Sequence, residues 1–152
     1  MIQRIQTLYL IVVTVLAAIM NFVTLSSFKS GETLFQLDSF GLFTTTNPQE
    51  LVYGTFALFA ILAAISILSA LTIFLYKKRI LQIRICLFNI LLALGFYAAY
   101  AAYTYVIKEN FTAEVFFKLP LVFPLIGIVL DWLAIRAIGA DEALIRSLDR
   151  LR

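Results

Sequence analysis

The chain has 152 residues, of which 62% are hydrophobic and only 14% are charged. An average soluble domain is about half apolar and about a quarter charged, so this composition argues against a soluble enzyme, a nucleic-acid-binding protein or a disordered tail. The length suits one domain and is too short for two ordinary ones. We therefore predict an integral membrane protein with a single domain over residues 1–152.

The residue types that are missing exclude several kinds of chemistry. With no histidine in the sequence, imidazole ligation of haem or zinc, histidine proton relays and Ser-His-Asp catalysis are excluded. The single Cys86 cannot form an internal disulfide or a Cys-x-x-Cys redox pair. The acids are scattered singly and suggest no nucleophile–base pair or metal cluster, so we expect neither an enzyme nor a bound cofactor.

Four apolar segments are predicted to span the membrane. A spanning helix needs about 20 apolar residues, and a backbone in lipid must satisfy its own hydrogen bonds, so each span is expected to be helical. Short second and third connections force neighbouring helices to lie antiparallel. The predicted fold is an all-α membrane protein, an up-down four-helix transmembrane bundle. Its spans are Thr7–Leu25, Leu51–Tyr76, Ile85–Ile107 and Leu119–Ile135, followed by a tail over residues 136–152.

The distribution of basic residues predicts the orientation of this bundle. Nine basic residues, including every arginine, fall on the side that holds both chain ends, whereas the other side has Lys29, Lys108 and Lys118. Cytoplasmic segments of membrane proteins are enriched in lysine and arginine. Both termini are therefore expected in the cytoplasm.

Two polar segments outside the predicted spans have patterns of their own. In the first external loop, Thr33–Thr44 mixes β-favouring residues around turn residues, which indicates a short hairpin on the outer surface. In the tail, Gly139-Ala140 is expected to end the spanning helix and Asp141 to cap an amphipathic helix. That helix either lies on the inner leaflet or docks a partner. The candidate docking residues are Leu144, Arg146, Leu148, Arg150 and Leu151.

Asp131 is the only acid inside a predicted span, and it lies near the cytoplasmic end of that span. Intramembrane carboxylates are candidates for proton relays and ion ligands. The alternative is a structural clamp, in which a salt bridge to Arg4 or Arg84 at the same predicted depth fastens the fourth span to the bundle. Both hypotheses make Asp131, Arg4 and Arg84 the candidate site residues, and the clamp is favoured because no membrane-crossing chain of polar groups is visible.

A polar and aromatic stripe on the third span consists of Asn89, Phe96, Tyr100 and Tyr103. One interpretation is a cavity that binds a flat, lipid-soluble ligand. The other is that Asn89 bonds a neighbouring helix while the tyrosines join the aromatic belt at the membrane interface. We favour the second interpretation, because aromatic belts are common in spanning helices.

The two ends of the chain carry its most specific patterns. The start reads MIQRIQTLYL over Met1–Leu10, and the end reads LAIRAI over Leu133–Ile138 and DEALIRSLDRLR over Asp141–Arg152. These ends resemble a bacterial family of small four-span inner-membrane proteins of unknown function, and the resemblance covers the whole chain. It implies a multi-pass inner-membrane location with cytoplasmic termini. The chain departs from the family at Gly139-Ala140, where a basic residue is expected, and no site residue is implied.

Two functional hypotheses follow from these observations. The first is a non-catalytic accessory or scaffold subunit of a membrane assembly, which docks through helix faces and the cytoplasmic tail. The second is a small transporter, exporter or channel component that uses Asp131 and the aromatic stripe. The expected partners are the lipid bilayer and other membrane protein subunits, with a homo-oligomer as an open alternative and no nucleic acid. The first hypothesis is favoured, because inverted repeats and broken midplane helices are not evident.

Overall fold

The computed structural model describes residues 3–45, 50–76 and 78–149, with side chains from residue 5 to residue 144 inside those ranges. Four α-helices form most of it: α1 (Gln3–Met20), α2 (Phe56–Phe74), α3 (Arg79–Phe111) and α4 (Phe123–Asp149). A 3-10 helix over Leu119–Val122 leads into α4. The strands are β1 (Ser26–Ser30), β2 (Thr33–Leu37), β3 (Gly41–Thr44), β4 (Leu51–Gly54) and β5 (Glu114–Phe117).

The five strands form one antiparallel sheet in the order β4-β3-β2-β1-β5. Strands β1 to β4 come from the α1–α2 connection, and β5 comes from the α3–α4 connection. Phe28 at the centre of β1 lies opposite Phe35 of β2 on one side and Val115 of β5 on the other. Gly31 provides the tight β1–β2 turn because its φ of 59° is left-handed backbone, which glycine adopts without steric cost.

The predicted all-α four-span bundle is wrong. The predicted hairpin segment Thr33–Thr44 does contain the paired strands β2 and β3, but three further strands extend it into a sheet. Among the described residues, three helices are long and apolar enough to cross a membrane, and the apolar part of α1 is the shorter Ile5–Met20. At 1.5 Å per residue that part covers about 24 Å, less than the hydrocarbon core of about 30 Å.

The errors in the predicted spans have local causes. α1 ends at Met20 rather than Leu25, since the Asn21 side chain turns back to donate to the Ala17 carbonyl at 3.0 Å. The backbone N–H of Leu25 donates to Leu37 and so joins the sheet. The predicted second span began at Leu51, but Leu51–Gly54 is β4 and helix α2 starts only at Phe56. An apolar run of leucine, valine and tyrosine suits a strand as well as a helix.

The predicted break at Gly139-Ala140, with a separate tail helix beyond it, is also wrong. α4 runs without interruption from Phe123 to Asp149. A glycine inside a helix costs only about 1 kcal/mol relative to alanine, and the buried Ile138 and Asp141 on either side of Gly139 hold the helix in place. The described part of the tail is therefore a continuation of α4.

The largest apolar core lies between the sheet and the helices. Its buried side chains include Phe28 and Leu37 from the sheet, Leu58 from α2, and Phe96 and Ile107 from α3. α3 has 33 residues, which corresponds to about 50 Å at 1.5 Å per residue. Because this exceeds the thickness of the hydrocarbon core, the C-terminal third of α3 extends past the ends of α1 and α2 and supports the sheet.

Candidate functional site

A buried polar cluster joins three of the four helices. The Asn89 amide of α3 donates to Ser69 Oγ of α2 at 2.7 Å and to Asp131 Oδ2 of α4 at 3.3 Å. The exposed fractions of the Ser69, Asn89 and Asp131 side chains are 0%, 1% and 2%. Polar groups are costly inside a helix bundle unless they bond one another, so these contacts fasten α4 and α2 to α3.

Helical spacing explains why these polar side chains meet. Each lies on the buried stripe of its own helix, at intervals of three or four residues from apolar neighbours. Asn89 shares its stripe with Cys86, Ala93 and Phe96 on α3. Asp131 shares its stripe with Ala134 and Ile138, both of which are fully buried. The cluster is therefore a polar layer within an otherwise apolar interface.

A small cavity adjoins this polar cluster. It has a volume of about 20 Å³ and lies among α1, α2, α3 and α4, which is room for about one water molecule. Its wall includes Val13, Ile65, Ala93 and Gly127, and Asp131 is the polar residue among the described residues that line it. The cavity is too small for a metabolite or a drug-sized ligand.

Two buried oxygen atoms of the cluster are not satisfied by its hydrogen bonds. Neither Asp131 Oδ1 nor Asn89 Oδ1 has a hydrogen-bond partner among the described residues. Arg84, one of the predicted partners of Asp131, is exposed on α3, and the structure brings Asp131 to the Asn89 amide instead. The side chain of Arg4 lies outside the described residues, so a contact with Arg4 stays a prediction.

Sequence reasoning missed the partners of Asp131. Asn89 was expected to bond a neighbouring helix, and its bonds to Ser69 and Asp131 confirm that half of the interpretation. The other half, that the tyrosines join the interfacial belt, is wrong for Tyr100, which is buried in the core. The matched depths of Asn89 and Asp131, each a few residues from the same end of its predicted span, were a usable signal. Ser69 gave no such signal, because an isolated serine in an apolar helix commonly bonds its own backbone.

The aromatic stripe of α3 forms the base on which the sheet packs. Phe96 and Tyr100 are buried in the core between sheet and helices, and the Tyr103 ring contacts Tyr53 of β4 at 6.2 Å between centroids. Phe111, farther along the same helix, contacts Phe35 of β2 at 5.3 Å. These rings are covered by strands rather than arranged around an open ligand cavity.

A second polar contact lies at the opposite end of the bundle from the sheet. Gln6 Nε2 of α1 donates to Asp141 Oδ2 of α4 at 2.9 Å, and both side chains are buried. Gln82 Nε2 of α3 donates to the Thr72 carbonyl of α2 at 2.8 Å. Asp141, predicted to cap a tail helix, instead links α4 to the first turns of α1.

Two exposed regions are the candidate docking surfaces. β4 lies at an edge of the sheet, and all four of its residues are exposed, with Leu51, Val52 and Tyr53 offering apolar side chains. In the tail, Leu144 is exposed on α4. The remaining predicted docking side chains, those of Arg146, Leu148, Arg150 and Leu151, lie outside the described residues.

Comparisons with known proteins place the chain in a family without assigning it an activity. Within the described part of the chain, no group of three or more cysteine, aspartate or glutamate side chains is arranged to hold a metal ion. No curated protein matches the sequence. The model of one protein family matches residues 2–151, and the chain therefore belongs to the family described as a domain of unknown function, DUF4293.

Proposed function

We propose that this protein is a non-catalytic accessory subunit of a membrane assembly, in which the helices anchor the sheet and the sheet docks a partner. The observation that carries the proposal is the apolar edge strand β4, whose outer edge pairs with no strand among the described residues. Natural proteins usually protect sheet edges with charges, prolines or a covering segment. The described residues of β4 carry no charge and no proline.

An open edge strand is suited to one mode of recognition. An extended segment of a partner can add to the sheet through backbone hydrogen bonds, with alternate side chains giving specificity. β4 ends at Gly54, two residues before α2 begins at Phe56. A partner strand on β4 would therefore lie directly against the membrane-anchoring helices, as expected for a neighbouring membrane subunit.

The proposed location is the bacterial inner membrane, with the arginine-rich end of the bundle in the cytoplasm. The contact between Gln6 and Asp141 places the starting turns of α1 and the last third of α4 at one end of the bundle. Arg79, at the start of α3, lies at that same end, whereas the sheet end carries Lys29, Lys108 and Lys118. This asymmetry supports a cytoplasmic position for both termini and an external sheet.

The tail supplies a second proposed contact, on the cytoplasmic side. α4 extends through Asp149, beyond the part needed to cross the hydrocarbon core, and Leu144 is exposed on this extension. The sequence continues with Arg146 and Arg150, whose side chains lie outside the described residues, and arginines favour an acidic surface or lipid headgroups. The proposed partners are thus the bilayer and at least one other membrane polypeptide.

The experiment that tests the proposal is the mass and composition of the particle extracted gently from native membranes. We expect a particle that contains other polypeptides beside this chain. Val52→Lys places a charge on the β4 edge and should release the partner, because the interface would bury an unpaired lysine. We expect the affinity to fall by about tenfold or more, which corresponds to about 1.4 kcal/mol of binding free energy.

The matched control is Leu34→Lys, which adds the same charge at an exposed site on β2. Because β2 is an interior strand of the sheet, this variant should retain the partner. A particle that contains only copies of this chain contradicts the proposal. So does equal loss of the partner from both variants, because it would mean that the charge and not the edge position matters.

A small transporter or channel component is the alternative, and the buried carboxylate of Asp131 is the observation that favours it. Two features of the structure argue for the accessory role instead. The cavity beside Asp131 is about 20 Å³, and the aromatic stripe is covered by the sheet. Ion flux through liposomes containing the purified chain, abolished by Asp131→Asn, would favour transport.

A further inference from the structure

We infer that Asp131 is a proton-binding site, whose carboxyl group carries a proton while α4 is packed against α3. This inference is independent of the accessory role proposed above.

The charge balance requires a cation or a proton beside Asp131. An ionised carboxylate in an apolar interior carries a desolvation cost far larger than any single packing contact, unless a positive charge pairs with it. Among the described side chains no cation does so: Arg84 is exposed on α3, and the Arg136 guanidinium lies over the Trp132 ring at 5.9 Å. Arg4, whose side chain is not described, lies two residues before Gln6, and Gln6 bonds Asp141, about 15 Å along α4 from Asp131. A bound proton removes the charge without a partner residue.

The cavity favours a proton over a metal ion. A sodium or calcium ion requires several oxygen ligands at once. Apart from Asp131, the described residues that line the cavity are apolar, such as Val13, Ile65 and Ala93. A proton requires no further ligand and fits in any volume, so the chemistry of the cavity wall selects it.

The hydrogen bonds to Asp131 give little compensation for a negative charge. The Asn89 amide donates to Asp131 Oδ2 at 3.3 Å, while the same amide reaches Ser69 Oγ at 2.7 Å. An interior carboxylate is stabilised when two or three donors bond it, whereas one donor reaches Asp131 among the described residues. Asn89 makes its shorter bond to the hydroxyl rather than to the carboxyl. Asp131 Oδ1, which has no hydrogen-bond partner among the described residues, is the oxygen that would carry the proton.

The other polar side chains that the helices place within the bundle do not compete for this role. α3 presents the buried Cys86 thiol one turn before Asn89, α2 presents the hydroxyls of Ser69 and Thr72, and α1 presents Tyr9 beside Cys86. Asp141, the other buried acid of α4, is ten residues away, or about 15 Å along the helix. Asp131 is therefore the carboxyl group of this cluster among the described residues.

Infrared spectroscopy of the full chain in lipid bilayers tests the inference directly, because a protonated carboxyl has a carbonyl stretch that a carboxylate lacks. We expect this band in the wild-type protein at pH 7, shifted by exchange into heavy water. Asp131→Asn should abolish the band and leave the melting temperature unchanged, since asparagine is a neutral near-isostere. Asp141→Asn, the matched control at a second buried acid, should retain the band.

Three results would overturn the inference. The first is the absence of a protonated-carboxyl band from the wild-type protein at pH 7, which needs no variant to interpret. The second is a band that persists in folded Asp131→Asn. The third is a band that appears only when choline replaces sodium in the buffer, which would make Asp131 a sodium ligand. Should Asp131→Asn fail to fold, Asp131→Glu keeps the carboxyl group and must move the band rather than remove it.

Discussion

The junction between sheet and helices and the middle of the bundle are held together in different ways. At the junction, large apolar side chains such as Phe28 and Phe96 are fully buried against one another. In the middle of the bundle, the buried residues are the smaller Val13, Ala17, Ile65 and Ala93, and Ser69, Asn89 and Asp131 bond across the helices. The first region is a core of the kind found in soluble domains, and the second is typical of helices in lipid.

The difference follows from the solvent around each region. The hydrophobic effect is a response to water, so apolar burial stabilises the junction, where a face of the sheet and the extended end of α3 would otherwise be wet. Lipid tails are as apolar as leucine, so helices within the bilayer associate through close packing of small residues and through hydrogen bonds. This chain of 152 residues is thus stabilised by apolar burial at the junction and by close packing and hydrogen bonds within the bilayer.

The largest expected effect is at the junction. Phe28→Ala removes a fully buried ring at the centre of the core, and such substitutions cost about 3–5 kcal/mol. We expect the sheet to detach while the helices stay folded, which protease cleavage within residues 26–45 together with unchanged helical circular dichroism would report. Phe22→Ala is the control, because Phe22 is 85% exposed. Loss of the helices along with the sheet would contradict the separation of the two regions.

A smaller effect is expected in the middle of the bundle. Asn89→Ala removes the bonds to both Ser69 and Asp131, and hydrogen bonds between membrane helices are worth about 1–2 kcal/mol at most. The free energy of unfolding in mixed micelles measures the change, with the exposed Asn110→Ala on the same helix as control. A double-mutant cycle with Ser69→Ala isolates the single bond, and zero coupling would show that the two side chains do not interact.

The smallest effects concern two glycines, and they have opposite signs. Gly31→Ala should destabilise the sheet by about 1–2 kcal/mol, since alanine is strained at the left-handed φ of 59°. Gly139→Ala should stabilise α4 by up to about 1 kcal/mol, because a Cβ there meets nothing within 4 Å. Thermal unfolding compares the two variants with wild type. Stability changes of the same sign in both variants would mean that backbone conformation does not determine the effect of alanine at these two sites.

Hydropathy predicts the three long apolar helices, but it overestimates the first span and misses the sheet. α2, α3 and α4 lie within or around three of the predicted apolar segments, since an apolar run of about 20 residues is a strong signal. β4 was hidden inside the predicted second span, because Leu51, Val52 and Tyr53 are apolar as well as β-favouring. β5 pairs with a strand some 85 residues earlier, and such long-range pairing leaves no local pattern.

The candidate site was predictable only in part. Asp131 was recognised because a carboxylate in an apolar span is rare. Its contact with Asn89 depends on how far α3 and α4 are rotated and shifted relative to each other. The spacing of apolar residues in the sequence predicts that rotation and shift only to within about one helical turn. The predicted salt bridge relied on arginines near the end of the bundle, and Arg84 in fact lies on an exposed face.

The pairing of β1 with β5 determines when the sheet can be completed during synthesis of the chain. β1 belongs to the connection after α1, whereas β5, which pairs with the outer edge of β1, is synthesised only after the whole of α3. A ribosome makes the chain from the N-terminus, so strands β1 to β4 can form a meander while the β1 edge stays open. That edge closes when residues 114–117 arrive on the same side of the membrane. Completion of the sheet therefore requires that α2 and α3 return the chain to the side of the membrane on which β1 lies.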